Sequence, residues 1–158
     1  MDMDFRVARV GGFTIEHCCT CSIPGYLVVS PEVNTSSIGR LPRGVLEQLG
    51  PALALAIEAI EAVVRPERVY CAQFGEEQAE LHFHIFPRTL EVTAEYRRAY
   101  PEHKSQIRGP VLLDWARSHY RCSKAESFRV ALPTITALKA EFERITNRPT
   151  GHAEIARR

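Results

Sequence analysis

At 158 residues the chain can bury one substantial core but is short for two. A hydrophobic share of 45% with 25% charged residues is that of an ordinary globular protein. The net charge of +1 excludes a basic stripe for nucleic acid, a polybasic membrane anchor and an acidic tail.

The N-terminus, MDMDFRVARV, carries two acids and no long apolar run, so it does not read as a signal peptide. Residues 5–10 and 13–18 alternate apolar and polar positions about Gly11-Gly12, which predicts a β-hairpin. Pro24-Gly25 signals a turn, and Tyr26-Leu27-Val28-Val29-Ser30 reads as a buried strand ending at Pro31. A long helical stretch follows over residues 42–64, with Leu53, Ala56, Ile57, Ile60 and Val64 forming one apolar stripe. Gly50-Pro51 predicts a kink there or a short first helix. Its apolar part, Leu53 to Val64, is too short for a membrane span, which needs roughly 18 apolar residues, and it contains Glu58 and Glu61. Residues 69–74 form the next strand and turn through Gly75 into the segment ending at Arg88, an antiparallel hairpin expected in the centre of a sheet. Helices are then expected over 93–100, over 109–119 with a stripe of Val111, Leu112 and Trp115, and over 133–145 with Ile135, Leu138, Phe142 and Ile145.

Strands, one long helix, a hairpin and then helices imply an α+β domain with an antiparallel sheet. The expected organisation is one domain over 1–158, with a core at about 5–90, a helical extension at about 91–146 and a loose tail at 147–158.

Chemistry concentrates in GEEQAELHFHIFPR, residues 75–88. Glu80, His82 and His84 fall on one strand face, and Leu81, Phe83 and Ile85 on the other. Three readings fit two imidazoles and a carboxylate in a row. The rings can simply be satisfied by polar neighbours. They can join Glu80 as ligands of a transition metal. Or one neutral ring can attack phosphorus through one nitrogen while an acceptor holds its other N–H. Spacing alone does not choose.

The wider pattern does choose. GEEQAELHFHIFPR resembles the signature of the histidine triad superfamily, three alternating histidines after a Gly-polar turn, continuing into Pro-Arg. PGYLVVSPEVN resembles the PGHxLVxPxxH strand and loop of the same family, and a long helix separates the two motifs in both. The resemblance covers residues 13–88. It implies an antiparallel sheet of about five strands with one long helix between the motifs and further C-terminal helices, in a homodimer that binds a nucleotide or similar phosphate ester. It also implies a covalent nucleotidyl-histidine route to cleaving a phosphoanhydride or phosphoramidate, with dinucleoside polyphosphates the family-level substrate. On this mapping His82 is the nucleophile and His84 donates a hydrogen bond to the phosphoryl group. Glu80, which stands in place of the first histidine, would orient His82. No metal or other cofactor is called for, and neither nucleic acid nor membrane is an expected partner.

The same mapping assigns substrate contacts to Cys18, Tyr26, Asn34, Gly75, Glu76 and Arg88, with Gln73 or Gln78 replacing a missing polar contact. Several are departures from the family pattern: Cys18 for a ribose-binding Asp or Asn, Tyr26 and Asn34 for histidines, Glu76 for Gln or Ser. The substrate therefore carries less negative charge near Glu76 and Glu80, or activity is reduced. A metal-binding protein using Glu80, His82 and His84, and a non-catalytic nucleotide-binding module, are the alternatives.

Five cysteines, an odd number without an export signal, predict reduced thiols in the cytoplasm. Cys18-Cys19-Thr20-Cys21 contains a CxxC. Zinc would need two further ligands at positions held by Asn34 and Glu80, and no helix start is signalled there to activate a redox thiol. The preferred reading is small residues packed at a strand end.

Overall fold

The structure, a computed structural model, describes residues 3–76, 78–103 and 107–148. The outer part of the expected tail, 149–158, lies outside them.

Five strands pair antiparallel throughout: β1 (Arg6–Val10), β2 (Phe13–His17), β3 (Leu27–Pro31), β4 (Arg68–Ala72) and β5 (Phe83–Arg88), in the order β1-β2-β3-β5-β4. The first hairpin turns on Gly11 and Gly12, at φ +54° and +83°, a conformation that costs glycine little. β4 and β5 form the expected hairpin, but β4 is an edge strand. The partner on the inner side of β5 is β3, so the two motif strands lie side by side.

Helix formation between the motifs breaks earlier than expected. A short α1 (Arg43–Leu46) ends before α2 (Leu49–Val63), and Gly50-Pro51 lies inside the first turn of α2, where a missing N–H is harmless. The buried stripe of α2 is Ala52, Ala56, Ala59 and Ile60. It is rotated toward the alanines because small side chains let the helix lie close to its neighbours, and Leu53, Ile57 and Val64 flank it half-buried.

α3 (Leu90–Ala99) starts at Thr89, whose hydroxyl accepts the Val92 N–H. α4 (Gly109–His119) buries Leu112, Leu113 and Ala116, leaving Val111 exposed and Trp115 packed edge-on against Tyr96 of α3. α5 (Lys124–Thr146) is almost twice as long as its apolar stripe suggested. Ser123 caps it by accepting the Glu126 N–H, so the Ser-Lys-Ala-Glu capping signature sets the start rather than Pro133, which sits inside the helix.

Two apolar layers sandwich the sheet. One unites Phe13, Ile15, Leu27, Phe83 and Ile85 with α2 and α5; the other unites Tyr26 and Phe86 with α3 and α4. Alternation through residues 81–86 therefore sends Leu81, Phe83 and Ile85 to the first layer, and turns His82, His84 and Phe86 to the opposite face.

Interior proline costs about 3 kcal/mol against alanine, partly offset by about 1 kcal/mol of unfolded-state entropy. Pro133 is exposed, so Pro133→Ala opens no cavity. We expect it to raise stability by about 2 kcal/mol, seen as a higher midpoint in urea unfolding.

Candidate active site

A cleft of about 510 Å³ opens where the histidine face of the sheet meets α4. That volume lies in the range of small-molecule sites. His82 and His84 form its floor, and both are largely buried.

The rings are linked in one chain. His82 Nδ1 is 2.8 Å from the Glu80 carbonyl oxygen, His82 Nε2 is 3.2 Å from His84 Nε2, and His84 Nδ1 is 2.8 Å from the Tyr26 hydroxyl. A carbonyl only accepts, so His82 Nδ1 carries the proton. With both rings neutral, His82 Nε2 is then a lone pair, His84 donates to it from Nε2, and His84 Nδ1 accepts from the Tyr26 O–H. The main chain thus sets the tautomer of both imidazoles.

Residues predicted from sequence divide cleanly. Cys18, Tyr26, Gly75, Glu76, Gln78, His82 and His84 line the cleft. Tyr26 is completely buried and its hydroxyl lies 2.8 Å from His84 Nδ1, so it meets the cleft beside that ring. The Glu80 atom that meets His82 Nδ1 is its backbone oxygen, not its carboxylate. Its side chain lines a separate hollow with Asn34, Thr35 and Arg40. Glu80, His82 and His84 therefore do not assemble as a ligand set, and among the described residues no three His, Cys, Asp or Glu are arranged to hold a metal ion. Gln73 is not among the cleft-lining residues. Arg88 sits at the far end of β5, where it pairs with Glu67 (3.3 Å) and donates to Tyr70 and Thr93. Its role is to tie β4, β5 and α3 together.

The sequence reading missed the wall opposite the histidines. Pro110, Leu113, Asp114 and Arg117 of α4 line it, and their spacing of three, four and seven marks one helical face. Phe74 stands half-exposed at the cleft, its ring centroid 6.1 Å from that of His84. Among the described residues Arg117 is the only arginine or lysine of the lining, against Glu16, Glu76 and Asp114.

A third histidine also borders the cleft, in a different state. His17 donates from Nδ1 to the Cys18 carbonyl (2.9 Å) and accepts the Gly25 N–H at Nε2 (3.0 Å). Both nitrogens are committed to the turn between β2 and β3. Gly25 is at φ +82°, and an added Cβ would come within 2.5 Å of Val64 Cγ2.

No protein-family model matches the sequence, and no curated protein matches it. Among solved structures the similarity is extensive: the chain has the fold of the histidine triad proteins. A hypothetical histidine triad nucleotide-binding protein from Sulfolobus tokodaii is 14% identical, with a TM-score of 0.62 over 90% of this chain and 86% of that one. A histidine triad protein from Marinobacter aquaeolei is 12% identical, with a TM-score of 0.59 over 89% and 90%. A zinc-bound histidine triad family protein from Mycobacterium smegmatis is 13% identical, with a TM-score of 0.54 over 90% and 86%. Among the described residues no helix is long and apolar enough to cross a membrane.

Burial holds His17 neutral and lowers its pKa. The unfolded chain binds a proton at this position from about pH 6.5 downward and the folded chain does not, so stability is full above that pH and falls below it. Urea midpoints should drop between about pH 7.5 and pH 5.5, and His17→Gln should flatten that drop while lowering stability at both values.

Proposed function

We propose that the protein is a nucleotidyl hydrolase or transferase in which His82 Nε2 attacks the α-phosphorus of a nucleotide phosphoramidate or phosphoanhydride. The observation that carries this reading is the chain from the Glu80 carbonyl through His82 and His84 to Tyr26. It holds the outer His82 N–H on a main-chain oxygen and keeps the inner nitrogen beside His84 at the cleft, where a neutral ring would act as the nucleophile.

As the Nε2–P bond forms, His82 becomes positive, and the Nδ1–H bond to the Glu80 carbonyl gains strength from that charge. The electron pair of the breaking bond leaves with the phosphate, or with the amine once its nitrogen has taken a proton from solvent, a proton that the attacking water returns in the second step. The His84 Nε2–H, released from His82 when that lone pair engages phosphorus, is free to donate to a phosphoryl oxygen. Water then attacks the nucleotidyl-histidine and regenerates the ring, or another acceptor takes the nucleotide. Phe74 offers an aromatic face at the cleft for a planar group.

Charge favours one branch of the substrate class. Glu16, Glu76 and Asp114 against Arg117 disfavour a long polyphosphate and suit one phosphoryl group with a neutral or cationic leaving group. The reading carries with it a homodimer, as the family resemblance implies, and a cytoplasmic location, as the odd cysteine count implies.

Adenosine phosphoramidate should therefore be turned over faster than dinucleoside polyphosphates. His82→Ala should abolish turnover and the acid-labile nucleotidyl adduct detectable by mass spectrometry. Equal inertness of wild type and His82→Ala across both substrate types would remove the enzymatic reading, and saturable nucleotide binding without turnover would replace it with a binding module. Tyr26→Phe removes one hydrogen bond worth about 1 kcal/mol, so kcat should fall roughly several-fold to tenfold with the fold intact. Glu80→Gln keeps the main-chain carbonyl and should cost far less than His82→Ala.

A further inference from the structure

The connection between β2 and β3 carries Cys18, Cys19 and Cys21 on the wall of the cleft and just behind it. Its backbone is anchored at both ends. The Cys18 N–H donates to the Tyr26 carbonyl (2.8 Å), and His17 Nδ1 donates to the Cys18 carbonyl. The Ser127 hydroxyl of α5 is shared by the Cys18 and Cys21 carbonyls, at 3.0 and 3.1 Å. Cys21 forms an isolated antiparallel bridge with Arg121, and the Cys122 N–H donates to Thr20.

Within that frame the two outer thiols share one neighbour, the Thr20 hydroxyl. The Thr20 hydroxyl lies 3.4 Å from Cys18 Sγ and 3.7 Å from Cys21 Sγ. The Cys21 S–H donates to the Arg117 carbonyl, 3.5 Å away. Cys18 reaches the cleft, while Cys21 is buried behind it.

We infer that Cys18 and Cys21 form a dithiol–disulfide site in the wall of the cleft, with Cys18 the thiol that meets a hydroperoxide and Cys21 the one that resolves it. The Cys18 thiolate attacks the peroxide O–O bond, becomes a sulfenic acid and releases an alcohol or water once the leaving oxygen takes a proton. The Cys21 sulfur, losing its proton, then attacks the sulfenic sulfur, and hydroxide leaves with that proton as water. Two thiols and one hydroperoxide give one disulfide, one alcohol (or water) and one water.

Three features support the assignment. One Thr20 hydroxyl reaches both sulfurs, so a loop anchored through Ser127 keeps the two thiols of the CxxC as neighbours. Hydrogen bonds from Cys21 and Thr20 lower the pKa of Cys18, whereas burial raises those of Cys71 and Cys122. Cys18 is also the thiol of the pair that a small solute reaches from the cleft. The site does not depend on the nucleotidyl reading and would stand if His82 proved inert.

The decisive protein is full-length Cys19→Ser, because the tryptic peptide 10–40 then holds Cys18 and Cys21 as its only thiols. The folded protein is treated with a small excess of hydrogen peroxide, blocked with iodoacetamide and digested. We expect this peptide to lose two hydrogen atoms, carry no alkyl label and regain both thiols with dithiothreitol. Cys18→Ser should slow peroxide consumption to the level of the unfolded chain, and Cys21→Ser should stop at a sulfenic acid trapped by dimedone. The proposal is overturned if peptide 10–40 stays fully alkylated, if Cys18 oxidises only to sulfinic acid, or if the disulfide joins Cys122 instead. The Cys19→Ser result decides the matter even if a substitution at Cys21 prevents folding.

Discussion

The hydrogen bond from His82 Nδ1 to the Glu80 carbonyl is the constraint on which the candidate site depends. A main-chain acceptor cannot be titrated and cannot rotate away, so it fixes both the proton and the plane of the ring. What fixes the main chain is packing on the opposite face. Leu81, Phe83 and Ile85 are buried in the layer under α2 and α5, and the Leu81 N–H donates to Thr35 at 2.7 Å. The chemical face is thus held by the apolar face of the same short segment. Tyr26 closes the far end of the chain of rings from within the second layer, where a phenol that cannot become cationic at neutral pH stands against His84.

The three histidines that border the cleft differ in what their nitrogens do. His17 has given both to the backbone of one turn and acts as a structural polar group, neutral because its burial and the Gly25 N–H at Nε2 outweigh the Cys18 carbonyl, which favours the charged ring. His82 has given one nitrogen to the backbone and keeps the other toward His84 and the cleft. Sequence spacing separates the pair from the single ring, but the hydrogen-bond partners separate their functions.

The helical wall changes the electrostatics of the cleft. Asp114 and Arg117 reach it from α4, and Glu76 from the β4–β5 connection, so among the described residues the charged lining is acidic except at one guanidinium. A phosphate ester that binds there meets carboxylates as well as donors. Placing the reacting phosphorus near His82 and a low-charge leaving group near the acids reduces that repulsion, which is why the phosphoramidate branch suits the cleft better than a polyphosphate.

Much of the fold was legible because it follows local periodicities. The alternation of residues 5–10, 13–18 and 80–86 gave the strands, Gly11-Gly12 gave the first turn, and Ile135, Leu138, Phe142 and Ile145 gave the face of α5. Pro133 misled the start of α5, since its local cost is outweighed by tertiary burial of Ala131 and Ile135 on either side. Within the site, His82 and His84 could be found from sequence, because two polar rings alternating with core residues have to be used or satisfied. Arg88 and Asn34 could not be placed, because residues near a motif in sequence diverge along a strand and a loop at about 3.3 Å per residue.

The sequence by itself determined the antiparallel α+β architecture and the shared face of His82 and His84, since both follow from side-chain period and turn chemistry. Tertiary structure alone decided that the Glu80 carbonyl rather than its carboxylate holds His82. It also decided that Tyr26 faces inward to His84 and that α4 supplies the opposite wall. Each of these joins groups through backbone direction or through segments far apart in the chain, and no local pattern of side chains encodes such a meeting.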